Sequence, residues 1–82
     1  YPDPASIPAN LPEGTSDGKS LSFWAYAIRI WGPTRLAATE TLRELLGMDP
    51  RDYRAQQGLT WCQVLQEAIK LAEARDARAA QV

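Results

Sequence analysis

Histidine is absent from this sequence of 82 residues, and cysteine occurs once, as Cys62. Without histidine the chain has no imidazole base and lacks the commonest metal ligand. Zinc sites, Cys/His nucleophile pairs and Ser/His/Asp triads are therefore excluded within the chain itself. A single cysteine cannot build an internal disulfide framework, so a reducing, cytoplasmic setting is expected rather than a stapled secreted scaffold. A glycine-rich phosphate loop with its lysine is missing too, because the two lysines, Lys19 and Lys70, stand in no such context. No cofactor or metal is implied, and the chain is not expected to be an enzyme.

Long apolar runs are also lacking. The longest, "LSFWAYAIRIW", covers the eleven residues Leu21 to Trp31 and includes Arg29. It is too short for a membrane span, and no basic segment precedes it as a signal peptide requires. Strong charge of either sign is missing: the net charge is −1. The first eighteen residues hold Asp3, Glu13 and Asp17 with no base, which leaves the remainder at a net +2. That is far from the basic footprint of a dedicated nucleic-acid binder. Position 1 is Tyr rather than Met, so the chain is expected to be a piece or processed product of a longer protein.

The apolar content, 45%, is that of a chain that folds, and the length allows one small domain whose core needs every apolar residue available. Four of the six prolines and two of the five glycines fall in residues 1–18, "YPDPASIPANLPEGTSDG". Proline fixes φ and removes a donor, so this stretch reads as an extended arm, floppy by the ordinary behaviour of termini. Tyr1, Ile7 and Leu11 would alternatively let it lie as a strap across a helical body.

Residues 19–82 read as helices throughout, with no hairpin signal. Ser20 can cap a first helix to Trp31, which Gly32 and Pro33 end as C-cap and breaker. A second helix starts near Pro33 or Thr34 and runs to Leu46, with Gly47 as its left-handed stop. Asp49 as cap and Pro50 at the first helical position open a short helix that ends at Gly58. Thr60 and Gln63 form a capping box for the last helix, Trp61 to about Ala79, with Leu59 and Val64 as hydrophobic staple. Its apolar stripe is Trp61, Val64, Leu65, Ala68, Leu71 and Ala72, widened by Cys62 and Ile69, and Glu67 with Lys70, then Lys70 with Glu73, pair on the outside. The expectation is an all-α fold, a compact bundle of three to four helices with an extended Pro-rich N-terminal arm.

Within the first helix, Leu21, Trp24, Ile28 and Trp31 share one face, and Phe23, Tyr26 and Ile30 share nearly the opposite one. A helix apolar almost all round is normally covered on all sides, and this chain has at most three others to cover it. The surplus face, Phe23, Tyr26 and Ile30 together with Trp31, is therefore the candidate protein interface, for a partner or for self-association. Function on this reading is non-catalytic assembly or protein–protein interaction. Cys62, at the second position of the last helix, is a packed thiol more readily than a reactive one. The carboxylate pairs Glu40/Glu44 and Asp49/Asp52 are accounted for by helix surfaces and caps.

"LRELLGMDPRDYRAQQ" has some of the pattern of a helix-turn-helix, an apolar pair before a glycine and a capped helix after it. In that case Arg51, Arg54 and Gln57 would face DNA, with Arg35 and Arg43 on phosphates. Arg43 and Gln56 depart from the pattern, standing where it wants a small and an apolar residue. The segment "LTWCQVLQEAIKLAEARDARAA", an amphipathic helix followed by Asp76, Arg78 and alanines, resembles a segment of phage-type DNA-packaging (terminase) small subunits. The resemblance covers about a quarter of the chain. It implies a non-enzymatic oligomer with a helical DNA-recognition domain, which is the alternative function.

Overall fold

The computed structural model describes residues 1–9, 11 and 21–81, with the backbone alone at 21. Four helices follow one another among these residues, α1 Leu21–Trp31, α2 Arg35–Leu46, α3 Pro50–Gln57 and α4 Trp61–Ala80, and no strand is present among them. The all-α expectation holds. No helix of the described residues is long and apolar enough to cross a membrane.

The helix ends follow their local chemistry. The Thr34 hydroxyl accepts from the Ala37 amide at 3.1 Å and starts α2. Gly47 ends it with φ +78°, a left-handed conformation that glycine adopts at no steric cost. Asp49 accepts from the Arg51 amide at 2.8 Å, Pro50 follows as the first helical residue, and Gly58 closes α3 with φ +67°. Both halves of the capping box are formed: the Gln63 amide donates to Thr60 Oγ1 at 3.2 Å, and the Thr60 amide donates to Gln63 Oε1 at 2.8 Å.

Gly32 follows the last residue of α1 as expected, its amide donating to the Ile28 carbonyl at 3.1 Å. Left-handed φ among the described residues is confined to Gly47 and Gly58, so Gly32 is not a left-handed cap. A glycine is needed there because a Cβ would meet the Ala37 Cβ at 2.7 Å, with backbone of Ala37 and Ala38 at 3.3 Å. The absent side chain lets the α1–α2 corner close tightly. Ser20 as cap of α1, and the side chain of Leu21, lie outside the described residues.

The core is built on aromatic rings. Phe23 and Trp61 are fully buried, their ring centroids 4.6 Å apart, and Trp24 stands edge-on to Phe23 at 5.1 Å. Leu42 of α2 and Val64, Leu65, Ala68, Ile69 and Ala72 of α4 complete it. No residue of α4 beyond Ala72 is buried, so its last two turns stand clear of the core.

The arm is not floppy where it is described. Asp3 caps a 3-10 turn, Pro4–Ser6, and Ile7 and Leu11 are buried in the core with the helices. Three contacts hold it along α4. Gln66 Nε2 donates to the Pro4 carbonyl at 3.0 Å, the Cys62 thiol donates to the Ile7 carbonyl at 3.7 Å, and the Tyr1 hydroxyl donates to Asp76 Oδ2 at 2.7 Å. A domain this small gains apolar area by folding its own prolines over itself, and the strap reading is the one the structure adopts.

Candidate protein interface

The surplus face of α1 is divided differently from the helical-wheel reading. Phe23, Trp24, Ala27 and Trp31 are buried. At 3.6 residues per turn these four fall within an arc of about 100°. That arc straddles the boundary between the two faces distinguished in the sequence, taking Phe23 from one and Trp24 and Trp31 from the other. Phe23 and Trp31 are therefore core residues in this chain and are not available as a contact surface. Tyr26 and Ile30 are half-buried against the core on one flank of the arc.

Facing Tyr26 and Ile30 is the arm. Between them lies an open cleft of about 530 Å³, within the size range of ligand sites. Tyr1, Pro2, Ser6 and Ile7 form one wall and Tyr26, Arg29 and Ile30 the other. Docking of Ile7 into the core fixes the arm wall, and the register of α1 places Tyr26, Arg29 and Ile30 at successive i, i+3 and i+4 positions on the same side.

The polar groups of the cleft differ in what they already hold. Ser6 Oγ donates to the Asp3 carbonyl at 2.7 Å. The Tyr1 hydroxyl donates to Asp76 and accepts from Arg75 Nη2 at 3.1 Å, while Arg75 Nε donates to Asp76 Oδ1 at 3.1 Å. In this triangle the hydrogen bond from Tyr1, then that from Arg75, holds the Asp76 carboxyl below its ordinary value, and the bond to Asp76 raises the Tyr1 phenol. Arg29 is the only charged side chain lining the cleft. Its guanidinium lies 5.7 Å from the Tyr26 ring centre, and it is exposed. Among the described residues it makes no ion pair.

The residues expected to face DNA fall into two groups. Arg51 Nε and Arg43 Nη2 converge on Asp49 at 3.2 and 3.4 Å. Burial pushes the Asp49 carboxyl up, but the hydrogen bonds from Arg51 and Arg43 outweigh it and leave the group below its ordinary value. Arg54 is half-buried with its guanidinium 5.0 Å from the Trp61 ring centre, and Arg35 lies 4.8 Å from that of Trp24. Gln57 is exposed at the end of α3. The structure thus gathers Arg43 and Arg51 at the α2–α3 corner and sets Arg35 and Arg54 against the aromatic core.

Cys62 is buried, and loss of water raises its thiol above the ordinary value, against the direction in which the helix N-terminus acts. No group of three or more histidine, cysteine or carboxylate side chains that could hold a metal occurs among the described residues.

Of the residues that line the cleft, sequence reasoning did not single out Arg29, Pro2 and Ser6. Arg29 had a signal, since it follows Tyr26 by three positions and adjoins Ile30, but on a helical wheel it reads as the solvent side. Comparison with family models, with curated proteins and with solved structures finds no match to this chain.

Proposed function

We propose that this domain is a non-catalytic protein-interaction module and that it binds through the cleft between the arm and α1. The observation that carries this reading is the cleft itself, an apolar concavity whose floor is Tyr26 and Ile30, with Arg29 at its rim. Half-buried aromatic and aliphatic side chains around one uncommitted guanidinium have the composition of an interface centre, where Tyr and Arg are enriched. Two of the three hydroxyls that line the cleft, those of Tyr1 and Ser6, are engaged within the chain. With one cysteine and hence no internal disulfide, a reducing, cytoplasmic setting goes with this reading.

Site-specific photo-cross-linking tests this reading. A photoreactive residue at position 30 is compared with one at position 57, on the α3 surface. Discrete protein adducts from position 30 and none from position 57 are expected. Nucleic-acid adducts from position 57 with no protein adduct from position 30 would instead favour DNA recognition of the helix-turn-helix kind, as in DNA-packaging small subunits. Silence at position 30 alone is enough to sink the interaction reading.

A further inference from the structure

The occupant of the cleft can be narrowed by charge, an inference that rests on the interaction reading above. We infer that the cleft takes a short segment of a different protein in which an apolar side chain stands next to an aspartate or glutamate, the carboxylate pairing with Arg29.

Three observations lead there. Ile7, Tyr26 and Ile30 give the lining of the cleft more apolar than polar surface, so what fills it needs an apolar side chain. Among the described residues, Arg29 is the one charged side chain in its lining, and at the Tyr1 end the opposite charges of Arg75 and Asp76 already satisfy each other. Among the described residues, nothing hydrogen-bonds the Tyr26 hydroxyl, which gives a second donor beside Arg29. A segment lying over Tyr26 and Ile30 takes water from Arg29, and a guanidinium that loses water without gaining an acceptor opposes binding. A neutral or basic segment meets that penalty and an acidic one reverses it, because a guanidinium–carboxylate bond is charge-assisted and can be bidentate. Nucleic acid is a poor occupant, since a phosphate backbone needs a track of cations and here one guanidinium stands over an apolar floor.

The probe is a displayed library of random twelve-residue peptides, selected on the full chain and counter-selected on the Tyr26→Ser/Ile30→Ser double variant. Enriched peptides should carry Asp or Glu within two positions of an aromatic or aliphatic residue. A synthetic peptide from that set should shift the amide resonances of Tyr26, Arg29 and Ile30 on binding. Arg29→Glu, an exposed substitution that leaves the core untouched, should weaken it about tenfold. A lysine in place of the peptide's acid should restore binding to Arg29→Glu. Enrichment without an acid, or affinity indifferent to Arg29→Glu, overturns this inference and leaves the interaction reading standing. Failure to enrich any cleft-dependent peptide also overturns it, while cross-linking from position 30 decides the wider reading independently. A dimer in sedimentation that the double variant abolishes would assign the cleft to a second copy of this chain instead.

Discussion

Replacing Phe23 by alanine tests the assignment of α1's faces most directly. The ring is fully buried and touches both Trp24 and Trp61, so its removal leaves a hole at the meeting point of α1 and α4. Phe→Ala substitutions at such sites cost about 3–5 kcal/mol, the aromatic contacts accounting for the upper part of that range. A domain of 82 residues has a total stability of roughly 4–12 kcal/mol, so the variant should lose about a quarter of it or more. At about 4–8 °C per kcal/mol for a chain of this size, the melting point should fall by about 12–40 °C. Tyr26→Ser and Ile30→Ser remove half-buried side chains and should each cost only ~1 kcal/mol. Urea unfolding followed by circular dichroism at 25 °C measures all three, with Phe23→Leu as the volume-conserving control at under about 1.5 kcal/mol. A loss below ~1.5 kcal/mol for Phe23→Ala, or a larger loss for Tyr26→Ser, would show that the opposite flank of α1 is the buried one.

Other outcomes follow from the same structure. Asp49 is held below its ordinary value by Arg51 and Arg43, so the stability it contributes is present above its unfolded pKa of about 4 and is lost as pH falls through the lower folded value. Asp49→Asn should flatten the drop in melting point between about pH 5 and pH 3, and an unchanged profile would refute the linkage. Cys62 lies beneath the arm, bonded to the Ile7 carbonyl, so its alkylation at pH 8 should be slow in the native chain and accelerate at least tenfold in Ile7→Ser, whose arm docks less firmly. Equal rates in the two proteins would show that the arm does not cover the thiol. Gly32→Ala forces a Cβ to within 2.7 Å of Ala37 and should cost about 1–3 kcal/mol by overpacking, whereas an ordinary loop glycine would tolerate it. Thermal melts of Gly32→Ala alone and combined with Ala37→Gly, which should recover part of the loss, check this.

The sequence by itself determined the boundaries between α2, α3 and α4, because these ends are written in local chemistry. Asp49-Pro50, the Thr60/Gln63 box and the glycines at 47 and 58 act within a few residues of themselves, and no distant contact is needed to place them. Composition also bears on chemistry, since a chain without histidine and with one cysteine has no Cys/His pair or Ser/His/Asp triad of its own. Which face of α1 is buried was decided only by the tertiary structure. Both faces are apolar enough to serve, and the choice depends on where Trp61 and the tight Gly32 corner bring α4 and α2 against it. The arm belongs to the same category. Prolines specify that it is not a long helix, but the docking of Ile7 and Leu11 depends on a groove that exists only after the helices have packed. The cleft beside Arg29 is a product of both, formed by two segments about twenty residues apart whose meeting no local pattern encodes.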